Sequence, residues 1–203
     1  MNISDAEAAA KQALSDERFH HTECVAEAAR RLAERFGGNV KTAVIAAYLH
    51  DIAKEFGRDR LLQIIEGSDI IETDLLLSCP SVWHSFAGAV YAKKALGITD
   101  EIAGAICYHT TGRADMSLLE KIVFLADYIS ADRDEEYAGD VRRMLDSSGT
   151  TVQTLDEIVF FVVKKQLAYL MAAKRPIHLD SVRAYNYFAL TINTNGDRYS
   201  GQK

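Results

Sequence analysis

Strict alternation of apolar and polar residues, the mark of a half-buried strand, is nearly absent from this chain. Ala, Leu, Glu, Lys and Arg are abundant instead, residues that lose little on entering a helix. Only Pro80 and Pro176 interrupt the chain. The pattern predicts an all-α protein, with helices near 4–14, 18–36, 40–54, 58–66, 81–96, 99–109, 117–130, 137–146, 151–173 and 179–192. Ser4 with Glu7, Ser117 with Glu120 and Thr150 with Gln153 fit capping boxes, in which each side chain satisfies an orphan backbone amide. Ser81 and Thr99 fit simpler caps. Gly37-Gly38, Gly57, Gly67, Gly97 and Gly112 fit helix stops. The stretch "GSDIIETDLLLSCP" at 67–80 suits either a short helix or a loop. Without repeats or a low-complexity linker, one helical domain is expected over residues 1–192, its core at about 15–190, with a polar tail at 193–203.

Composition narrows the class. A 203-residue chain with 48% hydrophobic and 26% charged residues suits one soluble domain with a full core. A net charge of −6 argues against a non-specific binder of nucleic acid or acidic membrane. No apolar run is long enough to span a bilayer, and "MNISDAEAAAKQALSDERF" has no signal-like apolar segment, so a cytoplasmic location is expected. Cys24, Cys79 and Cys107 are odd in number and far apart, which fits reduced thiols better than a disulfide framework or a thiolate zinc site.

The chemistry lies in the histidines. His20 and His21 open a helix in "RFHHTECV"; His50 and Asp51 end the apolar run "VIAAYLHD"; His84 lies in "VWHSFAGAV" and His109 in "AICYHTTGR". Asp127 interrupts "KIVFLADYI". Singly, a buried His is more often a hydrogen-bonded core residue, and a buried Asp is more often paired with Arg. Together, four histidines and two aspartates in apolar settings on five helices would cost much desolvation if scattered. A shared metal centre neutralises them all. Imidazole with carboxylate suits Zn, Fe, Mn or Co, and the absence of thiolates disfavours structural zinc. Neighbouring residues on a helix point about 100° apart, so His50 and Asp51 can meet one centre only from a helix end or flank. A carboxylate has two oxygens and can bridge two ions.

The order His…His-Asp…His…His…Asp resembles the HD-domain metal-dependent phosphohydrolases. "RFHHTECVAEAARRLAERFG", "AAYLHDIAKEF", "HSFAGAVYAKKALGI", "AICYHTTGRADMSLLEKIVFLADYISADRD" and "KRPIHLDSVRAYN" are together similar to the YqeK-type family, the symmetrical bis(5'-nucleosyl)-tetraphosphatases. The resemblance implies a single HD-domain helical bundle. It also implies hydrolysis of diadenosine tetraphosphate to two ADP by a metal-bridged hydroxide at a dinuclear centre, with iron the expected metal and Mn, Co or Zn the alternatives. It implies that His21, His50 and Asp127 ligate one ion, His84 and His109 the other, and Asp51 both; His20 is left as a solvated residue. Asp51 and Asp127 are then the candidates to orient the water or take its proton.

Phosphates need cations and donors. Arg18, one helical turn before His21, is a candidate with Lys54, Thr110 and Arg133; together with His21, Asp51, His84, His109 and Asp127 they form the expected nucleotide site. Arg113 is a weaker candidate. Trp83, Tyr108 and His178 are expected to be structural. The expected partner is a small dinucleotide, with no nucleic-acid polymer and no membrane, and a homodimer is compatible. Rival readings are an HD phosphohydrolase of a dNTP or cyclic dinucleotide, a non-catalytic nucleotide-binding HD protein, and a diiron oxygenase. The six intact ligands and the flanking cations weigh towards phosphate hydrolysis.

Overall fold

The structure is a computed structural model that describes residues 1–68 and 79–193. Most of the ambiguous 67–80 stretch and nearly all of the polar tail fall outside those residues. The described residues form ten α-helices: α1 (Ile3–Ala13), α2 (Asp16–Phe36), α3 (Val40–Leu49), α4 (Arg58–Glu66), α5 (Trp83–Leu96), α6 (Asp100–Tyr108), α7 (Leu118–Ile129), α8 (Glu135–Ser147), α9 (Val152–Ala172) and α10 (Leu179–Asn193). A 3-10 turn, Pro80–Val82, precedes α5.

The caps differ from expectation in detail. Ser117 and Glu120 form the capping box of α7, and Thr99 caps α6 through the Ile102 amide. At α1, however, Asn2 and Asp5 make the box in place of Ser4 and Glu7. At α9, Thr151 rather than Thr150 caps, accepting from the Thr154 amide. Ser81 lies within the 3-10 turn, and Gly57 precedes α4 as its N-cap instead of ending a helix.

Helices α3 and α7 form the centre. α3, "VKTAVIAAYL", is apolar nearly all round, and a helix of that kind must be covered on every side. α1, α2, α6 and α7 pack against it. α7 buries Leu119, Ile122, Val123, Phe124, Leu125, Ala126 and Tyr128 against α2, α3, α6, α8 and α9. Each large apolar side chain so buried stabilises by about 1.5–3 kcal/mol before chain entropy is counted. The two polar exceptions are paired: Glu120 with Arg113 at 3.1 Å and Lys121 with Asp156 at 2.6 Å. The turn between α2 and α3 comes so close to α7 that a Cβ on Gly38 would stand 2.7 Å from Ile122 Cδ1.

Two helix ends build the site. The sequence predicts a helix to residue 54, yet α3 stops at Leu49. His50 Nδ1 donates to the Ala47 carbonyl at 2.7 Å, the acceptor that the Asp51 amide would use if the helix continued. The chain then descends through three-residue turns, Ile52 N to Leu49 O, Lys54 N to Asp51 O and Phe56 N to Ala53 O. α6 ends in the same way: His109 Nδ1 donates to the Ile106 carbonyl at 2.7 Å. Gly112, at φ +63°, then turns the chain towards α7 in a conformation that other L-residues rarely adopt.

Candidate metal centre

Both terminal histidines spend Nδ1 on their own backbone, which leaves Nε2 facing inward. His50 is fully buried, and its Nε2 has no hydrogen-bond partner. Around it stand two sets of possible metal donors: His21, His50 and Asp127, and His50, Asp51 and His109. Donor atoms within each set lie within 4.8 Å of one another. Asp51 Oδ1 lies 3.2 Å from His84 Nε2 and 3.5 Å from His109 Nε2, and Asp51 Oδ2 lies 3.7 Å from His50 Nε2. His84 Nε2 and His109 Nε2 are 3.3 Å apart. On the other flank, His21 Nε2 meets Asp127 Oδ1 at 3.0 Å.

Electrostatics prepares these groups for a cation. Burial pulls His50 and His84 down to about 4, so both are neutral imidazoles at pH 7. Burial works to raise the Asp51 pKa, but His50, His109 and His84 outweigh it and hold the carboxyl well below its ordinary range. Asp127 is likewise held low: burial opposes ionisation, while His21, His50 and Arg133 overcome it. For His21, burial lowers the pKa, but Asp127 and Asp132 reverse the sign and raise it. An orphaned, buried Nε2 among ionised carboxylates and neutral imidazoles fits a hard or borderline metal ion. Among the described residues no group hydrogen-bonds that nitrogen.

The structure brings His21, His50, Asp51, His84, His109 and Asp127 into one cluster, as the sequence order implied. His21, not His20, turns inward; His20 is exposed and stands 3.9 Å from Glu23. Lys54 joins the cluster, with Nζ 2.9 Å from His84 Nε2 and 3.3 Å from Asp51 Oδ1. Thr110 Oγ1 reaches His109 Nε2 at 3.0 Å and His84 Nε2 at 3.4 Å. Arg133 donates from Nη2 to Asp127 Oδ1 at 2.6 Å and from Nε to the Asp127 carbonyl at 3.1 Å. Arg18 stands apart, paired with Glu55 at 3.4 Å. Arg113 is committed to Glu120, Trp83 is buried in the core, and His178 packs against Phe86.

Sequence reasoning missed Asp132. Its Oδ2 accepts from His21 Nδ1–H at 2.7 Å, which fixes the ring tautomer and aims Nε2 at the cluster. The only signal was its place in the charged run "ADRDEE", which reads as a solvent face. Asp132→Ala is expected to weaken metal binding by about 10–100-fold, the usual cost of losing such a support. Asp132→Asn, whose side-chain oxygen can still accept, should recover part of the loss. Equilibrium dialysis against Mn²⁺ compares the three proteins, and equal affinities would show that His21 needs no such support.

An all-α bundle that gathers histidines and aspartates from separate helices into one buried centre is the architecture of an HD domain, and residues 18–132 match the model of the HD domain family. Over 188 residues the chain is 36% identical to the symmetrical bis(5'-nucleosyl)-tetraphosphatase of Bacillus subtilis (strain 168), covering 92% of this chain and 97% of that one. The enzyme of the same name from Staphylococcus aureus (strain NCTC 8325 / PS 47) is 32% identical over 189 residues, covering 93% and 95%. A solved structure described as a predicted HD superfamily hydrolase involved in NAD metabolism, from Clostridium acetobutylicum, superposes with a TM-score of 0.79 at 26% identity, covering 92% of this chain and 96% of that one. The chain therefore belongs to the HD domain family, within its group of symmetrical bis(5'-nucleosyl)-tetraphosphatases.

Proposed function

We propose that this protein hydrolyses diadenosine tetraphosphate symmetrically to two ADP, with a dinuclear metal centre as cofactor: iron, or Mn, Co or Zn. The observation that carries the reading is His50, whose unpartnered Nε2 belongs to both donor sets. His21, His50 and Asp127 would hold one ion, His84 and His109 the other, and Asp51 would lie between them. Bound there, the ions supply a water activated as hydroxide at neutral pH and a positive field for the phosphates.

The chain's own residues do the rest. Asp51 and Asp127, both ionised, are the candidates to orient the attacking water or take its proton. Lys54 and Thr110 stand where a phosphate oxygen next to His84 and His109 would take a charged donor and a hydroxyl. Arg133 offers its remaining guanidinium donors on the Asp127 side, while Arg18, paired with Glu55, would have to leave that partner to meet a phosphate. The apolar surroundings of His50 and His109 exclude bulk water, which strengthens each of these interactions.

Two nucleotide halves share a chain of four phosphates, and only attack at an inner phosphorus yields equal products. Chromatography of a reaction run in oxygen-18 water is expected to show ADP alone, with one heavy oxygen in half of its molecules. AMP with ATP would reject the symmetrical register. No turnover with iron, manganese, cobalt or zinc would reject the activity. Anaerobic purification with metal analysis identifies the ion.

A further inference from the structure

Residues 130–134 join α7 to α8. Two of their side chains brace the cluster from outside: Asp132 accepts from His21 Nδ1–H at 2.7 Å, and Arg133 donates to Asp127 Oδ1 at 2.6 Å. Such support is only as firm as the backbone that carries it. The chain leaves α7 at Ser130, and the last carbonyls of the helix have no helical amide to accept from. One side chain of α8 takes them. Arg142 donates from Nε to the Ile129 carbonyl at 3.2 Å, and from Nη2 to the Ser130 carbonyl at 2.6 Å and the Arg133 carbonyl at 2.9 Å. Its Nη1 is held in turn by Glu135 at 3.2 Å. The guanidinium therefore grips the joining segment on both sides of Asp132. A fixed cation also suits the negative end of a helix.

We infer that Arg142 is a positioning residue of the metal centre: by clamping the carbonyls of the α7–α8 segment it holds Asp132 and Arg133 against His21 and Asp127, and so sets the affinity for the ion on that side. The inference rests on the dinuclear reading above. Arg142 acts through the segment and not on metal or substrate. Its effect is one-sided. Its partners all lie within residues 129–135, whereas His84 and His109 come from other elements, and His109 takes its orientation from the Ile106 carbonyl of its own helix. A planar fork meets three carbonyls at once, which an ammonium cannot do in the same geometry.

The experiment titrates the full chain with Mn²⁺ by equilibrium dialysis. The wild type is expected to bind two ions. Arg142→Gln should weaken one of them by about 10–100-fold, the usual cost of losing a support behind a ligand, and leave the other unchanged. Arg142→Lys should weaken the same ion less; if Arg142→Gln fails to fold, Arg142→Lys decides. Arg35→Gln is the control. Arg35 grips the far end of α8 in the same manner, donating to the Leu145, Ser148 and Gly149 carbonyls, but it stands roughly 20 Å along α2 from His21. Its loss should lower the melting temperature and leave both affinities as they are. In Asp132→Ala, adding Arg142→Gln should cost less than it does in the wild type, because the two act through one ligand. No change in either affinity, equal weakening of both ions, or the same one-sided loss in Arg35→Gln overturns the role of Arg142 and leaves the activity standing. A wild type that binds a single ion overturns the dinuclear reading, and the inference then stands only if Arg142→Gln weakens that ion. A wild type that binds none overturns both.

Discussion

Asp51→Ala is expected to reduce hydrolysis of diadenosine tetraphosphate to background while the far-ultraviolet circular dichroism stays that of a helical protein. Among the described residues Asp51 is the one carboxylate within 4 Å of His50, His84 and His109 together, so its loss removes the group proposed to serve both ions. The fold should survive because Lys54, which loses its anion, is 31% exposed and reaches solvent. Asp51→Asn separates charge from shape: it fills the same space without the ionised oxygen, and it should be nearly as inactive. Metal content, measured alongside turnover, should fall in both variants. Substantial residual activity in Asp51→Ala would sink the assignment of Asp51 as the shared ligand.

Arg133→Ala is expected to lower kcat/KM by roughly 10- to 150-fold, the equivalent of a charge-assisted hydrogen bond of about 1.5–3 kcal/mol. The guanidinium commits Nη2 and Nε to Asp127 and is 37% exposed, which leaves donors for a phosphate. Two functions are therefore open to it, holding Asp127 and gripping substrate, and metal analysis tells them apart. Unchanged metal content with weaker kinetics assigns Arg133 to the phosphate. A parallel loss of metal assigns it to the support of Asp127. Arg133→Lys should rescue poorly, because an ammonium cannot keep both bonds to Asp127 and still present a planar fork. Unaltered kinetics would mark Arg133 as a surface charge.

Much of this site could be read from the sequence because buried charge is conspicuous against an apolar run. His50, Asp51 and Asp127 interrupt "VIAAYLHD" and "KIVFLADYI", and desolvation alone demands that they find partners. The end of α3 could not be read in the same way. Nothing in the period of "VIAAYLHDIAKEF" shows that the His50 ring takes the Ala47 carbonyl and stops the helix at Leu49. The caps of α1 and α9 slipped because Asn2 and Ser4, or Thr150 and Thr151, offer the same oxygen within two residues. Asp132 was hidden because acidic residues after a helix are usually solvated.

The two histidine-terminated helices have a further consequence. α3 and α6 both end at the cluster, where the His50 and His109 rings sit with centroids 4.9 Å apart. The peptide dipoles of a helix sum to about half a negative charge at its C-terminus. Two such ends meet here, so the backbone itself makes the interior potential negative before any side chain ionises. A cation bound among these ends would be favoured by them, and under the proposed function the expected order is metal first and polyphosphate second.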